Sequence, residues 1–360
     1  MADRALLIRL GALGDTLQAS SAAALLKKHH PQMEVDFLAA AGLEGLFAMI
    51  PPVCRVYGLP FRRIPFRLHP WWIAMLRDLN QRAYKLAYLM ETNALFLPLL
   101  DGVTADQRIS LAETGRTAAR PPVVPNPVRY QRALWDAGLV PKEIRAPELV
   151  VSQTEANRAD ALIASLGLGP GGPLVGLHGG NSYQTRQLWR RKLGKADLRS
   201  WPEELWVKLI AEIHRANGRV RFILFGGPGD RKASERIARR LKRTLPAVPL
   251  ASTAGRTDLP LAAALLQRLS LFVSTDTGPL HMAAALQVPF VGLYGPTRFE
   301  ETRPFPSKPI GAVVRRSLPC QPCYGTPNQR RCRDNLCMQQ IEVEEVLRTA
   351  KEVNPEVFTS

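Results

Sequence analysis

The chain has no run of about 20 apolar residues, the length a membrane-spanning helix needs. Its most apolar stretch, Leu86 to Leu100, is broken by Glu91, Asn93 and Pro98. A secretory leader is not expected either. The first ten residues, MADRALLIRL, carry an acid near the start and an apolar run too short for one. These two absences predict a cytoplasmic protein that can still rest on a membrane surface through basic residues. Acidic residues are scarce: 31 Asp and Glu stand against 48 Lys and Arg, a net charge of +17 in 360 residues. A surplus of that size implies an anionic partner. No RNP, KH, zinc-finger or helix-turn-helix pattern accompanies it, so nucleic acid is not the expected one. Cysteine is scarce too, at five. Cys54 stands alone in an apolar context and reads as a small core residue. The other four lie between Cys320 and Cys337.

What is present is a repeated α/β alternation. A single core stops growing at about 250–300 residues, so a chain of this length predicts two domains. The apolar run Ala5 to Leu10 reads as a buried parallel strand ending in Gly11-Ala-Leu-Gly14-Asp15. A helix from about Thr16 to His29 and a strand from Val35 to Ala39 follow. Further strands are expected at Val53 to Tyr57 and Leu86 to Met90, with a helix near Trp71 to Leu79. A helix at about Thr154 to Leu166 leads into Gly167-Leu-Gly-Pro-Gly-Gly-Pro173, the expected linker between domains 1–166 and 167–360. Four strands of the second half run into glycine-containing turns: Leu174–Leu177, Arg219–Phe225, Leu269–Ser274 and Phe290–Tyr294. Ser200 and Glu203 have the spacing of a capping box before a helix with Leu205, Trp206, Leu209, Ile210 and Ile213 on one face. A last helix is expected at Val343 to Val353. In parallel sheets, ligands bind beyond the carboxyl ends of the strands. The second half therefore reads as a doubly wound ligand-binding domain.

One turn stands apart, Ser274-Thr-Asp-Thr-Gly-Pro-Leu-His281. Pro279 suits the first turn of a helix, which would run on through the small residues Ala283, Ala284 and Ala285. The amides at its start and the positive end of the helix dipole suit a phosphate or pyrophosphate. Thr277 would add a hydroxyl donor, Gly278 a close backbone approach, and His281 a ring N–H. A capped core helix with a structural histidine is the alternative.

The Asp276-Thr-Gly-Pro-Leu-His281 segment, its Ala-rich helix and Tyr294-Gly-Pro-Thr297 resemble the bacterial heptosyltransferases, glycosyltransferase family 9. The resemblance extends to Arg9-Leu-Gly-Ala-Leu-Gly-Asp15, Ser200-Trp-Pro-Glu-Glu204, Gly226-Gly-Pro-Gly-Asp230 and Ala254-Gly-Arg-Thr-Asp-Leu259. It implies a GT-B architecture, with two Rossmann-like domains facing a cleft. It also implies inverting transfer of heptose from ADP-heptose to a lipopolysaccharide-core hydroxyl or a related anionic glycan or glycolipid, with peripheral contact at the inner membrane. Asp15 takes the place of the catalytic base; read from the residues alone, it is a helix cap. Thr277, Gly278, Leu280 and His281, with Asp276, would meet the leaving ADP without a cofactor. The family's lysine two residues before the Trp-Pro pair is Arg199 here, with Lys192 and Lys195 nearby. Asp230 and Glu235 are candidates for ribose hydroxyls. Arg62, Arg63 and Arg67 either meet acceptor anions or form a solvated basic face. Glu91-Thr-Asn93 departs from the family's Asp and Gln-Gly at the end of that strand. Two other readings stay open: a GT-B transferase of another nucleotide sugar or acceptor, a protein included, and a non-catalytic basic binding protein.

The remaining motif is Cys320-x2-Cys323-x8-Cys332-x4-Cys337. Its first pair has the spacing of a metal knuckle, and four thiolates suit structural zinc or iron. Arg330, Arg331 and Arg333 would favour thiolates. The alternative is four reduced thiols in an irregular loop.

Overall fold

The structure is a computed structural model that describes residues 3–60, 70–114, 123–179, 198–332 and 334–359. The chain divides into two compact units, Met1–Val150 and Val151–Ser360. The division falls before the expected boundary at 166/167. The helix Gln153–Ser165 belongs to the second unit, where its Arg158 meets Asp258 at 3.3 Å and its Asp160 meets Arg268 at 2.6 Å. The glycine-rich segment after this helix is not a free linker. The Arg221 guanidinium donates to the carbonyls of Leu168, Gly169 and Gly172 and holds the segment on the second unit.

The first unit is built on β1 (Arg4–Arg9), β2 (Glu34–Ala40), β3 (Val53–Leu59), β4 (Tyr84–Leu89) and β5 (Ala105–Ser110). All pair in parallel, in the order β3-β2-β1-β4-β5. Ala5 to Ile8 of β1 are fully buried, which is why that strand reads as an unbroken apolar run. Helix α1 (Leu13–His29) follows β1, α2 (Pro70–Gln81) precedes β4, and α3 (Asn126–Asp136) packs on α1. Helix α1 begins three residues earlier than expected, so Asp15 lies inside its first turn. Strand β5 and helix α3 were not anticipated. Cys54, expected in the core, is exposed on β3.

The second unit opens with α4 (Gln153–Ser165). Its sheet contains β6 (Leu174–His178), β7 (Arg221–Leu224), β8 (Leu250–Ser252), β9 (Leu271–Thr275), β10 (Phe290–Tyr294) and β11 (Gly311–Arg315). These are also parallel, in the order β11-β10-β9-β6-β7-β8. Helices α5 (Glu203–Ala216), α6 (Arg231–Thr244), α7 (Leu259–Gln267), α8 (Gly278–Ala285) and α9 (Val343–Val353) complete it. Helix α5 starts after Pro202, so Ser200 is not its cap. Trp201 instead buries its indole against Trp206 and donates to the Ile341 carbonyl at 3.0 Å. Helix α9 packs on α5, β10 and β11 and extends the core to the end of the chain.

In chain order, each sheet reads third-second-first-fourth-fifth, and the second sheet adds a sixth strand. In both units the chain winds outward on one side of the first strand and then on the other. The loops after the first and fourth strands therefore diverge and leave the crevice where doubly wound sheets bind ligands. Those strands are β1 and β4 in one unit and β6 and β9 in the other. Among the described residues, no helix is long and apolar enough to cross a membrane.

Candidate active site

In the first unit, that crevice holds a four-residue polar network. Arg9, the last residue of β1, donates to Glu91 Oε2 at 2.5 Å and lies 3.4 Å from Asp15 Oδ1. The second Glu91 oxygen accepts the Leu10 N–H at 2.7 Å, and Asp15 Oδ2 accepts the Ala12 N–H at 3.1 Å. The guanidinium also faces the Tyr130 ring, 5.9 Å from its centroid. Burial works against the Arg9 charge, but the carboxylates of Asp15 and Glu91 offset it, and its pKa is raised. Burial pushes the Tyr130 phenol up to about 12, so it stays neutral.

One cation thus faces two carboxylates. Glu91 takes the short contact and its side chain is 10% exposed; Asp15 takes the long one and its side chain is 36% exposed. The arrangement leaves negative charge on the more accessible oxygen pair, as a base that must receive a proton from a bound hydroxyl requires. Glu91 was read from the sequence only as a departure from a family pattern. The available signal was an acid at the end of a buried strand, where an unpaired charge is costly.

In the second unit, β9 ends at Thr275 and α8 begins at Gly278, with Pro279 in its first turn as expected. Asp276 and His281 are both buried, and His281 Nε2 lies 3.6 Å from Asp276 Oδ1. Burial alone would raise the Asp276 carboxyl; His281, Thr297 and Arg199 outweigh it and hold the pKa below its ordinary value. Arg199 Nη1 donates to the Asp276 carbonyl at 3.2 Å, which places its cation at the head of α8. Gly278 leads the helix. Leu280 contributes less than expected: its side chain is fully buried and its N–H donates to Thr277 O at 3.1 Å.

Asp230 and Thr277 also differ from expectation. Asp230 follows β7, is 2% exposed, and accepts the Gly227 N–H at 2.9 Å. His178, the last residue of β6, lies between them, with Nε2 3.4 Å from Asp230 Oδ2 and Nδ1 3.0 Å from Thr277 Oγ1. A carboxylate only accepts, so Nε2 is the donor toward Asp230; the Thr277 hydroxyl also donates to the Thr275 carbonyl at 3.2 Å and lies 3.1 Å from Ser274 Oγ. The Thr277 hydroxyl is thus engaged within the protein, and Asp230 braces this chain from within. Glu235 is paired with Arg231 at 2.9 Å on the surface of α6. Sequence reasoning noted His178 only as the end of a strand. Arg62, Arg63, Arg67, Lys192 and Lys195 lie outside the described residues.

The cysteines do not fit the metal expected of them. Cys323 and Cys337 are buried, Cys332 is half-buried and Cys320 is exposed. Among the described residues, no group of three or more His, Cys, Asp or Glu side chains is placed to hold a metal ion. Burial, reinforced by the neighbouring cysteines, raises the Cys323 thiol and pushes Cys337 up to about 12. That is opposite to the shift the nearby arginines were expected to give.

Residues 192–332 match the family model described as glycosyltransferase family 9 (heptosyltransferase). The lipooligosaccharide heptosyltransferase 2 of Haemophilus ducreyi is 28% identical over 83% of this chain and 85% of its own. The lipopolysaccharide heptosyltransferase 2 of Salmonella typhimurium is 24% identical over 82% of this chain and 84% of its own. The solved structure of the Escherichia coli ADP-heptose lps heptosyltransferase II superposes with a TM-score of 0.73 at 21% identity. It covers 97% of this chain and 98% of that one, and it places both units in the GT-B fold. Two doubly wound units, an accessible aspartate at the first switch point and a helix head flanked by Arg199 and His281 at the second agree with these matches: the chain is similar to the heptosyltransferases of glycosyltransferase family 9 over most of its length and shares their fold.

Proposed function

We propose that the protein is an inverting heptosyltransferase. It would move heptose from ADP-heptose to a hydroxyl of a lipopolysaccharide core or a closely related anionic glycolipid at the cytoplasmic face of the membrane. The names of its relatives supply the sugar and the acceptor class. The observation that carries the donor side is the convergence of Arg199, Asp276 and His281 on the head of α8.

The proposed step is a single displacement. The acceptor oxygen attacks the anomeric carbon, its proton passes to the Asp15 carboxylate, and the bond to the β-phosphate oxygen of ADP breaks. Direct displacement inverts the anomeric centre. The charge that develops on ADP would be met by the amides and dipole of α8, the His281 ring and the Arg199 guanidinium, so the chain's own groups supply the compensation. Arg9 holds Asp15 in place, while Glu91 balances Arg9. The net positive charge of the whole chain favours a phosphorylated glycolipid and an anionic membrane surface.

The test is ADP release from ADP-heptose with a heptose-acceptor core lipid, together with the anomeric configuration of the product by proton NMR. An inverted product and competition by ADP over UDP and GDP support the reading. A retained configuration sinks the single displacement, and tighter UDP or GDP binding sinks the donor.

A further inference from the structure

The substitution of arginine at position 199 has a counterpart in the cysteine-bearing segment. The Arg199 guanidinium carbon lies 4.8 Å from the centroid of the Tyr324 ring. Tyr324 is itself held by backbone contacts. Its N–H and that of Cys323 donate to the Pro296 carbonyl at 2.9 and 3.0 Å, and Thr326 Oγ1 closes the turn onto the Cys323 carbonyl at 2.7 Å. Gln321 ties the same turn to the Gly295 carbonyl at 2.5 Å, and Asn335 ties the far end of the segment to the Ser200 carbonyl at 3.3 Å. A Cβ on Gly295 would meet Met338 Sδ at 2.5 Å, so the segment sits directly against the β10 turn. The cysteine segment is therefore braced both on the turn after β10 and on the residue next to Arg199.

We infer that Tyr324 is a positioning residue for the nucleoside diphosphate, acting through Arg199. An aromatic face attracts a cation and favours the flat guanidinium, which can stack on the ring and still aim N–H groups outward from its edge. An ammonium has no such edge. The stack fixes the plane of Arg199 while its Nη1 bond to Asp276 O fixes its reach, so the cation stays at the head of α8 before any ligand arrives. This also gives the cysteine segment a task that requires no metal: it carries the ring that orients the donor-site cation.

The inference rests on the reading of Arg199 as a diphosphate ligand, and the test separates the two. The probe is ADP, titrated calorimetrically into the full-length protein, with steady-state kinetics on ADP-heptose alongside. Tyr324→Leu should weaken ADP binding about tenfold and raise the donor KM with kcat nearly unchanged, whereas Tyr324→Phe should behave like the parent. Arg199→Lys should weaken ADP binding in the parent and cause little further loss in the Tyr324→Leu background. Equal thermal midpoints for Tyr324→Leu and Tyr324→Phe would exclude misfolding as the cause. If Arg199→Ala weakens ADP binding and Tyr324→Leu does not, the positioning role is overturned while the donor reading stands. If Arg199→Ala leaves ADP binding unchanged, the donor reading of Arg199 fails and the inference falls with it. If Tyr324→Phe is as weak as Tyr324→Leu, the stacking is not the cause and the inference is overturned.

Discussion

The two units each contain a Gly-x-x-Gly-Asp turn: Gly11-Ala-Leu-Gly-Asp15 after β1 and Gly226-Gly-Pro-Gly-Asp230 after β7. Locally they are near copies. A Cβ on Gly11 would meet Asp15 Cβ at 2.4 Å, and one on Gly226 would meet Asp230 Cβ at 2.6 Å. In both, the aspartate accepts the amide of the residue three before it, at 3.1 Å and 2.9 Å. The surroundings set them apart. Asp15 keeps a side chain 36% exposed beside a guanidinium shared with Glu91; Asp230 keeps only 3% and faces His178. One turn thus holds an accessible carboxylate, the proposed base, and the other uses the same carboxylate as an internal brace for the His178–Thr277 pair.

This contrast can be broken experimentally. Asp15→Asn should lower kcat about a thousandfold while leaving ADP affinity and the urea midpoint near those of the parent, because only an accessible base is lost. Asp230→Ala should show the opposite balance: a loss of about 2 kcal/mol in urea unfolding, from a buried partner removed from His178, with a far smaller fall in kcat. Should Asp230→Ala prove as inactive as Asp15→Asn yet equally stable, the distinction between acting and bracing carboxylates is lost.

Finer probes sharpen the same contrast. Gly226→Ala should cost about 2 kcal/mol by overpacking against Asp230. Gly11→Ala, whose Cβ would meet Asp15 Cβ at 2.4 Å, should cost a similar amount and also lower kcat by displacing that carboxylate. Glu91→Gln removes the charge that balances Arg9, so the guanidinium should turn fully to Asp15; kcat should fall about tenfold at constant ADP affinity, a partial loss of the roughly hundredfold or greater contribution of a general base. An unchanged kcat in that variant would show that Glu91 only supports the fold.

The smallest expected effect is on pH dependence. The native Asp276 pKa is held below its ordinary value, so its ionised form adds stability above the unfolded carboxyl pKa of about 3.9. That contribution is lost as pH falls through the lower native pKa. Asp276→Asn should therefore flatten the acid side of a plot of urea midpoint against pH, and an unchanged slope would assign the acid sensitivity to other carboxylates.

By itself the sequence determined the α/β alternation, the strands with buried apolar runs, the start of α8 at the Gly278-Pro279 pair and the candidate status of Asp15, Arg199 and His281. These features are written in local periodicity and backbone chemistry. It missed β5, β8 and β11, which lie at sheet edges; β8 has three residues and β5 alternates polar with half-buried positions. It placed the division of the chain at a glycine-rich segment that Arg221 in fact pins down. The roles of Glu91, His178 and Tyr324 were decided only by tertiary structure. Each acts on a residue 82 or more positions away in the chain, Glu91 on Arg9, His178 on Thr277 and Tyr324 on Arg199. The tertiary structure also decided between the two Gly-x-x-Gly-Asp turns. Their local chemistry is the same, and burial, which separates a reactive carboxylate from a structural one, is a property of everything packed around them.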